Sequence, residues 1–349
     1  MLSQDENERA KIKLNNGCLI IHPAFNETLK ELGRKKIRLP KEVTQIEIDF
    51  SSYGYPVNGR LVSGIEEPGK FELDCRKGQK FCDQNKICAY DESINKFEGL
   101  EGTGFLTSHS MIIHGDMDYI PINLLTFYFY TRSLYLTKNS KYIKFSNDFE
   151  VDSKRDYVSD REKLLVENVP EDCTIFIDGP LIGGQMTKYT LDLNEALLKK
   201  NSIPIFFVKN SRSNLVVDNV EELKSKYNSD MHWAYSYLKP GERTKFFRYV
   251  DKENCNFAKI FCYLKAFESS PCRIEIDINT FKKYKDEINQ IMDLAYYLLI
   301  AQGDLHNPQI RSIAIAEKYA RATLKLINFE ELIKTLGITP TINQERFAW

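Results

Sequence analysis

The stretch Cys173-Thr174-Ile175-Phe176-Ile177-Asp178-Gly179-Pro180-Leu181 determines how the rest of the chain is interpreted. It begins with a short run of mostly β-branched and aromatic residues, which predicts a buried strand. The strand ends on an acid, Asp178, and the Gly-Pro pair that follows requires the backbone to turn. We therefore expect the Asp178 carboxylate to be displayed at a strand end and not packed in the core.

A similar arrangement occurs upstream, in Gln45-Ile46-Glu47-Ile48-Asp49-Phe50-Ser51-Ser52. An alternating apolar strand again leads to an acid, Asp49, and then to small hydroxyl residues. Two acids at the ends of two strands predict a metal site, because hard cations prefer carboxylate oxygens. The alternative is turn chemistry, in which each carboxylate only bonds to nearby backbone N–H groups.

Composition excludes several classes of protein. The 349 residues carry 48 basic and 49 acidic side chains, so the chain is not a histone-like polycation, and a nucleic-acid surface would require local segregation of charge. The polar N-terminus lacks the apolar core of a signal peptide. The apolar stretch 124–136 is too short to span a bilayer. These features predict a soluble, cytoplasmic protein that does not enter membranes.

Eight cysteines without a secretion signal predict reduced thiols. Cys75, Cys82 and Cys88 lie close together in sequence but form no C-x-x-C pair. Unrelated thiols in a hairpin-rich part of the chain are therefore favoured over a structural zinc site.

The first part of the chain divides into two segments. Residues 1–43 contain a predicted strand at 18–21 and a predicted charged helix at 26–36, and Pro40 closes the segment. Residues 53–147 are rich in Gly, Asn, Thr, Tyr and Phe, and their apolar runs predict antiparallel strands and hairpins.

The pattern changes to alternating helices and strands near Ser159. Ser159-Asp160-Arg161-Glu162 predicts a helix start with a capping box, in which Glu162 occupies the third helical position. A helix at 191–200 and a buried strand at 203–208 follow Asp178, and this alternation predicts parallel pairing. Two further strands are expected at 258–264 and 272–276.

The C-terminal part is predicted to be helical. Apolar residues follow the helical period through 281–302. Asn307 is expected to cap a second helix, 308–326, with Pro308 at its first position, which leaves His306 just outside a helix N-terminus. Residues 331–349 are expected to form a C-terminal tail.

These patterns together predict an α/β fold. The expected architecture is a ribonuclease H-like mixed sheet flanked by helices, with a hairpin-rich insertion and a helical C-terminal part. Six short motifs stand out along the chain: Asp49-Phe50-Ser51-Ser52, Arg161-Glu162, Ile177-Asp178-Gly179-Pro180-Leu181, Val208-Lys209-Asn210-Ser211, Leu238-Lys239-Pro240-Gly241-Glu242-Arg243 and His306-Asn307-Pro308. In their order and spacing they resemble the NurA nuclease family, over residues of about 40 to 330.

The resemblance implies a nuclease domain at 44–330. It further implies a manganese-dependent exonuclease and single-strand endonuclease that acts as a homodimer with a hexameric HerA-type ATPase in processing DNA ends. The family's metal-site positions match Asp49, Glu162, Asp178 and His306, with Tyr297 nearby as a further catalytic residue. Phe50 stands where the family usually has glycine, and Glu167 is the alternative to Glu162 as the second acid.

The chemistry of phosphodiester cleavage supports a metal site made of residues of these types. Two divalent ions can activate a water and stabilise the charge that develops when a phosphodiester is cleaved. Oxygen ligands suit Mg²⁺ or Mn²⁺, and one imidazole shifts the preference toward Mn²⁺. The structural alternatives are a capping-box role for Glu162, a helix-end hydrogen bond for His306 and core packing for Tyr297.

Basic residues after the strands complete the predicted site. Lys209 and Arg212 follow the strand at 203–208, and these two residues and Arg243 are candidates for holding DNA phosphates. A competing hypothesis is a catalytically silent subunit that docks on DNA and the ATPase. A third is a nuclease toxin or antiviral effector with the same chemistry.

Overall fold

The structure is a computed structural model that describes residues 10–14, 17–21, 61–115, 118–138, 143–182, 186–211, 213–251, 257–335 and 337–341. Its contacts divide the chain into Met1–Thr44 and Gln45–Trp349. In the first unit, β1 (Ala10–Leu14) and β2 (Gly17–Ile21) form an antiparallel hairpin, which includes the predicted strand at 18–21. The predicted helix at 26–36 and the predicted strand that ends at Asp49 lie outside the described residues. The predicted domain division at 43 and 330 stays a prediction.

Twelve strands of the second unit form one mixed sheet, counted over the described residues. The strands are β3 (Leu61–Gly64), β4 (Lys70–Glu72), β5 (Lys86–Glu98), β6 (Thr103–His114), β7 (Tyr119–Thr131), β8 (Ile143–Phe145), β9 (Cys173–Asp178), β10 (Ile203–Val208), β11 (Glu242–Thr244), β12 (Phe247–Val250), β13 (Ala258–Lys265) and β14 (Cys272–Asp277). Across the sheet the order is β3-β12-β13-β14-β10-β9-β5-β6-β7-β8, and β11 pairs with both β13 and β4.

Helices cover the sheet or connect its strands. They are α1 (Cys75–Gln84), α2 (Leu134–Thr137), α3 (Phe149–Asn168), α4 (Thr187–Lys199), α5 (Asp230–Tyr237), α6 (Ile278–Lys283), α7 (Ile288–Gln302), α8 (Arg311–Lys325) and α9 (Phe329–Thr335). None of the helices in the described part of the chain combines the length and the apolar character that crossing a bilayer would require.

The centre of the sheet positions the site. Strands β5, β6 and β7 form an antiparallel meander, β9 lies parallel to the other edge of β5, and β10 lies parallel to β9. The predicted mixed sheet flanked by helices is confirmed. The hairpin-rich part does form hairpins, and its strands β5, β6, β7 and β8 make up one end of the sheet.

The two faces of the central strands are covered differently. On the first face, Ala89, Phe176 and Phe207 belong to a core cluster that also contains Leu298 of α7 and Ile313 of α8. Because side chains alternate along a strand, Tyr90 and Ile177 point to the second face. That face is covered by α3 and α4, which are joined by the hydrogen bond from Arg161 Nη2 to Thr190 Oγ1 (3.0 Å).

Helix α3 begins ten residues before the predicted start at Ser159. Asp148 is its N-cap, and its Oδ1 accepts hydrogen bonds from the backbone N–H groups of Glu150 and Val151 (both 3.1 Å). Ser159 and Glu162 therefore lie inside the helix, and the predicted capping box is wrong. The sequence offered two adequate caps, and the one further upstream initiates the helix.

The C-terminal helices also differ from the prediction in their boundaries. The predicted helix at 281–302 is split into α6 and α7, and α6 is capped by Asp277. Helix α8 begins at Arg311, so Pro308 is not its first residue and Asn307 is not its cap. Both Asn307 and His306 instead donate backbone N–H bonds to Asp304 Oδ1 (2.9 and 3.0 Å), which closes a separate turn.

Candidate metal centre

Two acids lie side by side at the centre of the sheet. Asp178 is the last residue of β9, and Asp91 lies in β5. The parallel register pairs Tyr90 with Ile177, so Asp91 and Asp178 occupy the next position on the two neighbouring strands. Both side chains point to the first face, two residues beyond Ala89 and Phe176.

The turn after Asp178 requires a glycine. Gly179 has φ +99°, a backbone conformation that L side chains rarely adopt. Its N–H donates to Phe207 O of β10 (2.9 Å), which fixes the direction of the chain as it leaves the strand. The Asp178 carboxylate is therefore presented at a strand end, as the sequence predicts, with 25% of its side chain exposed.

A lysine and a third acid complete the cluster. Lys209 follows β10, and its Nζ lies 3.5 Å from Asp178 Oδ1, 3.9 Å from Asp91 Oδ2 and 3.9 Å from Glu317 Oε2 of α8. Glu317 also accepts a hydrogen bond from Gln309 Nε2 (3.2 Å) and pairs with Arg321. One ammonium group thus lies among three acidic side chains, so the acids outnumber the base at this centre.

Burial perturbs both strand acids. Burial, and then the neighbouring Asp178 charge, raises the pKa of Asp91 from 3.8 to about 8. Burial also raises the pKa of Asp178, although the ammonium group of Lys209 opposes the change. Two like charges that share a buried site both stay ionised only when a cation compensates them.

Two oxygen atoms of the pair suit a hard cation. Asp91 Oδ2 and Asp178 Oδ1 are buried and have no hydrogen-bond partner, although Asp91 Oδ1 accepts the backbone N–H of Glu92 (2.7 Å). Within the described residues, no three His, Cys, Asp or Glu side chains are close enough to share one ion. The pair therefore fits a divalent ion such as Mg²⁺ or Mn²⁺, which often takes one or two carboxylates and completes its shell with water and phosphate.

Within the described part of the chain, no bond is seen between the other predicted metal ligands and this pair. Asp49 lies outside the described residues. Glu162 is half-buried and Glu167 exposed, both on α3, whose neighbouring residue Arg161 points toward the second face. No hydrogen bond or ion pair among the described residues joins either glutamate to Asp178. The roles predicted for Asp49 and Glu162 stay predictions.

Among the described contacts, no hydrogen bond or ion pair joins His306 or Tyr297 to the two acids. His306 is exposed in the turn that precedes α8. Tyr297 lies on α7, at the close contact between α7 and Gly78 of α1, and burial raises the pKa of its phenol. In this structure Tyr297 packs against the core as a partly buried aromatic residue, which was the structural alternative at the sequence level.

The three predicted phosphate ligands have different environments. Lys209 is in the cluster, whereas Arg212 lies outside the described residues. Arg243 is buried, and its guanidinium donates to both carboxylate oxygens of Glu66 (2.9 and 3.0 Å) and to Asn289 Oδ1 (2.7 Å). These donors are already paired in the interior, and a phosphate-binding role for Arg243 stays a prediction.

The cysteines do not form a metal cluster within the described residues. Cys82 Sγ lies 3.5 Å from His114 Nδ1, and Cys88 lies buried in β5. Burial raises the pKa of Cys82 to about 11, so this thiol is protonated at neutral pH.

Comparison with known proteins identifies the family. The profile of the NurA domain matches residues 111–322, which is more than half of the chain. The chain belongs to the NurA family. The matched residues include Asp178, Lys209 and Glu317, whereas Asp91 lies upstream of them.

Solved structures give more distant likenesses to this NurA-family chain. The crystal structure of the NurA nuclease from Sulfolobus solfataricus is 12% identical and covers 80% of this chain and 88% of its own, with a TM-score of 0.49. Ciona intestinalis endonuclease V in complex with a DNA containing inosine is 14% identical and covers 73% of this chain and 96% of its own, with a TM-score of 0.35. No curated protein sequence matches significantly.

Two residues of the candidate site were missed at the sequence level. Asp91 had a usable signal, because Ile87-Cys88-Ala89-Tyr90 leads to Asp91-Glu92-Ser93 just as the apolar strands lead to Asp49 and Asp178. Glu317 had none, since a glutamate followed four residues later by arginine is ordinary on a solvated helix. Only the packing of α8 on the sheet brings Glu317 to Lys209.

Proposed function

We propose that this member of the NurA family is a metal-dependent DNA nuclease. The observation that carries the proposal is the pair of carboxylates on neighbouring parallel strands, with Asp91 buried and Asp178 half-buried, and with the ammonium group of Lys209 beside them. Membership of the NurA family supports the same function. A nuclease of this kind would hydrolyse phosphodiester bonds, both from DNA ends and within single strands.

Asp91 and Asp178 would hold the ion, which we propose to be Mn²⁺, with Mg²⁺ as the alternative. When bound, such an ion makes a water more acidic and stabilises the charge on the phosphate. The protein's part is to keep both carboxylates in place. The N–H of Glu92 fixes one oxygen of Asp91, and the turn at Gly179 fixes the end of the Asp178 strand.

Lys209 would act on the DNA. Its ammonium group neutralises part of the acidic centre. A cation bound by Asp91 and Asp178 would compete for those oxygens, which leaves Lys209 to pair with a phosphate of the DNA. A basic side chain next to a metal would hold the backbone while the ion acts on the scissile phosphate.

The biological setting that we propose follows from the family. The protein would act in the cytoplasm as a homodimer and process DNA ends during repair together with a hexameric HerA-type ATPase. Asp49, Glu162, His306 and Tyr297 remain candidates for this function, because a ligand set completed on DNA binding can differ from that of the free protein.

The proposal is tested by incubating end-labelled single- and double-stranded DNA with purified protein in Mn²⁺, Mg²⁺ or EDTA. We expect cleavage with a divalent ion and none in EDTA. Asp91→Asn and Asp178→Asn should abolish cleavage. Glu195→Gln is the matched control, because Glu195 is an exposed acid on α4 that pairs, within the described residues, with Lys199. Absence of cleavage, also with the cognate ATPase present, would favour the silent docking subunit.

A further inference from the structure

A buried ionic network lies on the second face of the sheet, behind the loops that follow Asp178 and Lys209. Its centre is Glu275 of β14, which has no exposed surface. Glu275 Oε1 accepts hydrogen bonds from Lys259 Nζ of β13 (2.6 Å) and from Arg273 Nε (2.7 Å). Burial alone would raise the pKa of Glu275, but the charges of Lys259 and Arg273 lower it below its ordinary value.

One arm of the network reaches the loop after Asp178. Glu275 Oε2 accepts the backbone N–H of Leu181 (2.9 Å), three residues beyond the acid. Lys259 Nζ donates to the next carbonyl, Ile182 O (3.3 Å). Two charged side chains thus hold two consecutive residues of this loop by their backbone.

The other arm reaches the loop after Lys209. Arg273 Nη1 donates to Ser211 Oγ (2.8 Å) and also to Ser213 Oγ, two and four residues beyond the lysine. The two hydroxyl groups are themselves joined, with Ser211 donating to Ser213 (2.9 Å). The guanidinium group therefore connects Glu275 directly to the segment that presents Lys209.

Packing alone gives no reason for such a network. A buried ion pair or triad is often no more stabilising than apolar residues of the same volume, because each charge must be desolvated. Directional bonds differ from apolar contacts in that they fix the positions of the groups at both ends. Here the fixed groups are the two loops that flank the proposed metal centre.

We infer that Glu275, Lys259 and Arg273 are positioning residues that set the distance between Asp178 and Lys209. The predicted effect on DNA cleavage rests on the proposed function. The predicted effect on cation binding does not, because the position of Lys209 governs how tightly the acids bind a cation whether or not DNA is cleaved. When the hydrogen bonds from Arg273 to the two serines are lost, the ammonium group of Lys209 can move away from the carboxylates.

The test is a double-mutant cycle between the serine pair and Lys209. Ser211→Ala with Ser213→Ala removes the acceptors of Arg273 without touching the ionic core, and Lys209→Met removes the group they are inferred to position. The dissociation constant for Mn²⁺ is measured by calorimetry in both backgrounds, together with the rate of DNA cleavage at saturating Mn²⁺. Residues that act through one another show non-additive effects.

We expect the variant that carries both Ser211→Ala and Ser213→Ala to bind Mn²⁺ more tightly than the wild type. It should cleave DNA more slowly by about tenfold or more, since small misplacements of a catalytic group are costly. In the Lys209→Met background the same two replacements should change neither quantity. Ser202→Ala is the matched control, because the hydroxyl group of this buried serine donates to Pro170 O (3.0 Å) and accepts from Cys173 Sγ (3.7 Å) at the opposite end of β10. It should change neither quantity in either background.

Additive effects in the two backgrounds would overturn the inference, as would unchanged Mn²⁺ affinity in the serine variant. A wild type that binds Mn²⁺ but cleaves no DNA would instead contradict the proposed function, and the cycle would then be decided on Mn²⁺ affinity alone. Glu275→Gln tests the other arm. If this variant folds, its Mn²⁺ affinity should differ from that of the wild type. If it fails to fold, the double-mutant cycle with the two serines tests the inference.

Discussion

Lys209 Nζ lies 3.5 Å from Asp178 Oδ1, at the ends of two neighbouring parallel strands. The same ammonium group is 3.9 Å from both Asp91 and Glu317. These distances are those of ion pairs and exceed those of good hydrogen bonds, so the lysine neutralises the acids without saturating their oxygen atoms. A divalent cation bound by the acids would therefore lie close to the ammonium group of Lys209 and be repelled by its positive charge.

Replacing Lys209 by methionine should affect metal binding and cleavage in opposite directions. Loss of the ammonium charge removes repulsion of the cation, so we expect Mn²⁺ to bind about tenfold more tightly, which corresponds to about 1.4 kcal/mol. Cleavage should slow, because the DNA phosphate loses its partner. Calorimetry and a cleavage assay measure the two effects, with Lys163→Met, an exposed lysine on α3, as the control. Weaker Mn²⁺ binding in Lys209→Met would contradict the arrangement.

Mn²⁺ should raise the melting temperature of the wild type but not that of Asp91→Asn or Asp178→Asn. A ligand that binds only the folded state stabilises it by about 2.7 kcal/mol at 100 times its dissociation constant. Each replacement removes one of the two unpaired oxygens and so removes that stabilisation. Thermal denaturation with Mn²⁺ and with EDTA measures the shift. Equal shifts in wild type and Asp91→Asn would exclude Asp91 as a ligand.

The metal-free protein should become less stable as the pH rises from about 4 to about 8. The Asp91 carboxyl keeps its proton up to a pKa of about 8 in the folded state, whereas its ordinary value is 3.8. Between these values the folded state binds more protons than the unfolded chain, so the free energy of unfolding falls with increasing pH. Urea denaturation in EDTA at several pH values measures the slope. The slope should be smaller in Asp91→Asn, and an identical slope would show that Asp91 does not cause it.

Arg243→Met should destabilise the fold and leave DNA binding unchanged. Its guanidinium makes a bidentate ion pair with Glu66 in the interior. Removal of one partner of a buried ion pair lowers the free energy of unfolding by about 3 kcal/mol or more. The cost should be smaller when Glu66→Gln is combined with it, because no carboxylate is then left without its partner. Urea denaturation measures stability. A reduced salt dependence of DNA binding would instead place Arg243 on a phosphate.

Several elements could be predicted because their signals are local. The strand that ends at Asp178 is an apolar run that stops at a turn signal, and the strand at 203–208 is of the same kind. Both lie where the sequence places them, and they pair in parallel as the alternation with helices predicts. The start of α3 was misjudged for an equally local reason, since Asp148 and Ser159 are both acceptable caps and only one of them begins the helix.

The partners of Asp178 could not be found in the same way. Asp91 precedes it by almost ninety residues and Glu317 follows it by well over a hundred, so nothing in the spacing connects them. Their proximity depends on the register of β5 against β9 and on the packing of α8 over the sheet. Arg243 gives the converse case, because only burial distinguishes an arginine paired with Glu66 from one that is free to bind DNA.

The sequence by itself determined the α/β class, the NurA resemblance and the display of Asp178 at a strand end, since these depend on residue patterns within a few positions of one another. Only the tertiary structure decided that Asp91, Glu317 and Lys209 surround that carboxylate and that Glu275 connects the loops behind it. The physical reason is that electrostatic and hydrogen-bonding interactions depend on distance in space. Sheet register and helix packing set that distance, and sequence separation does not.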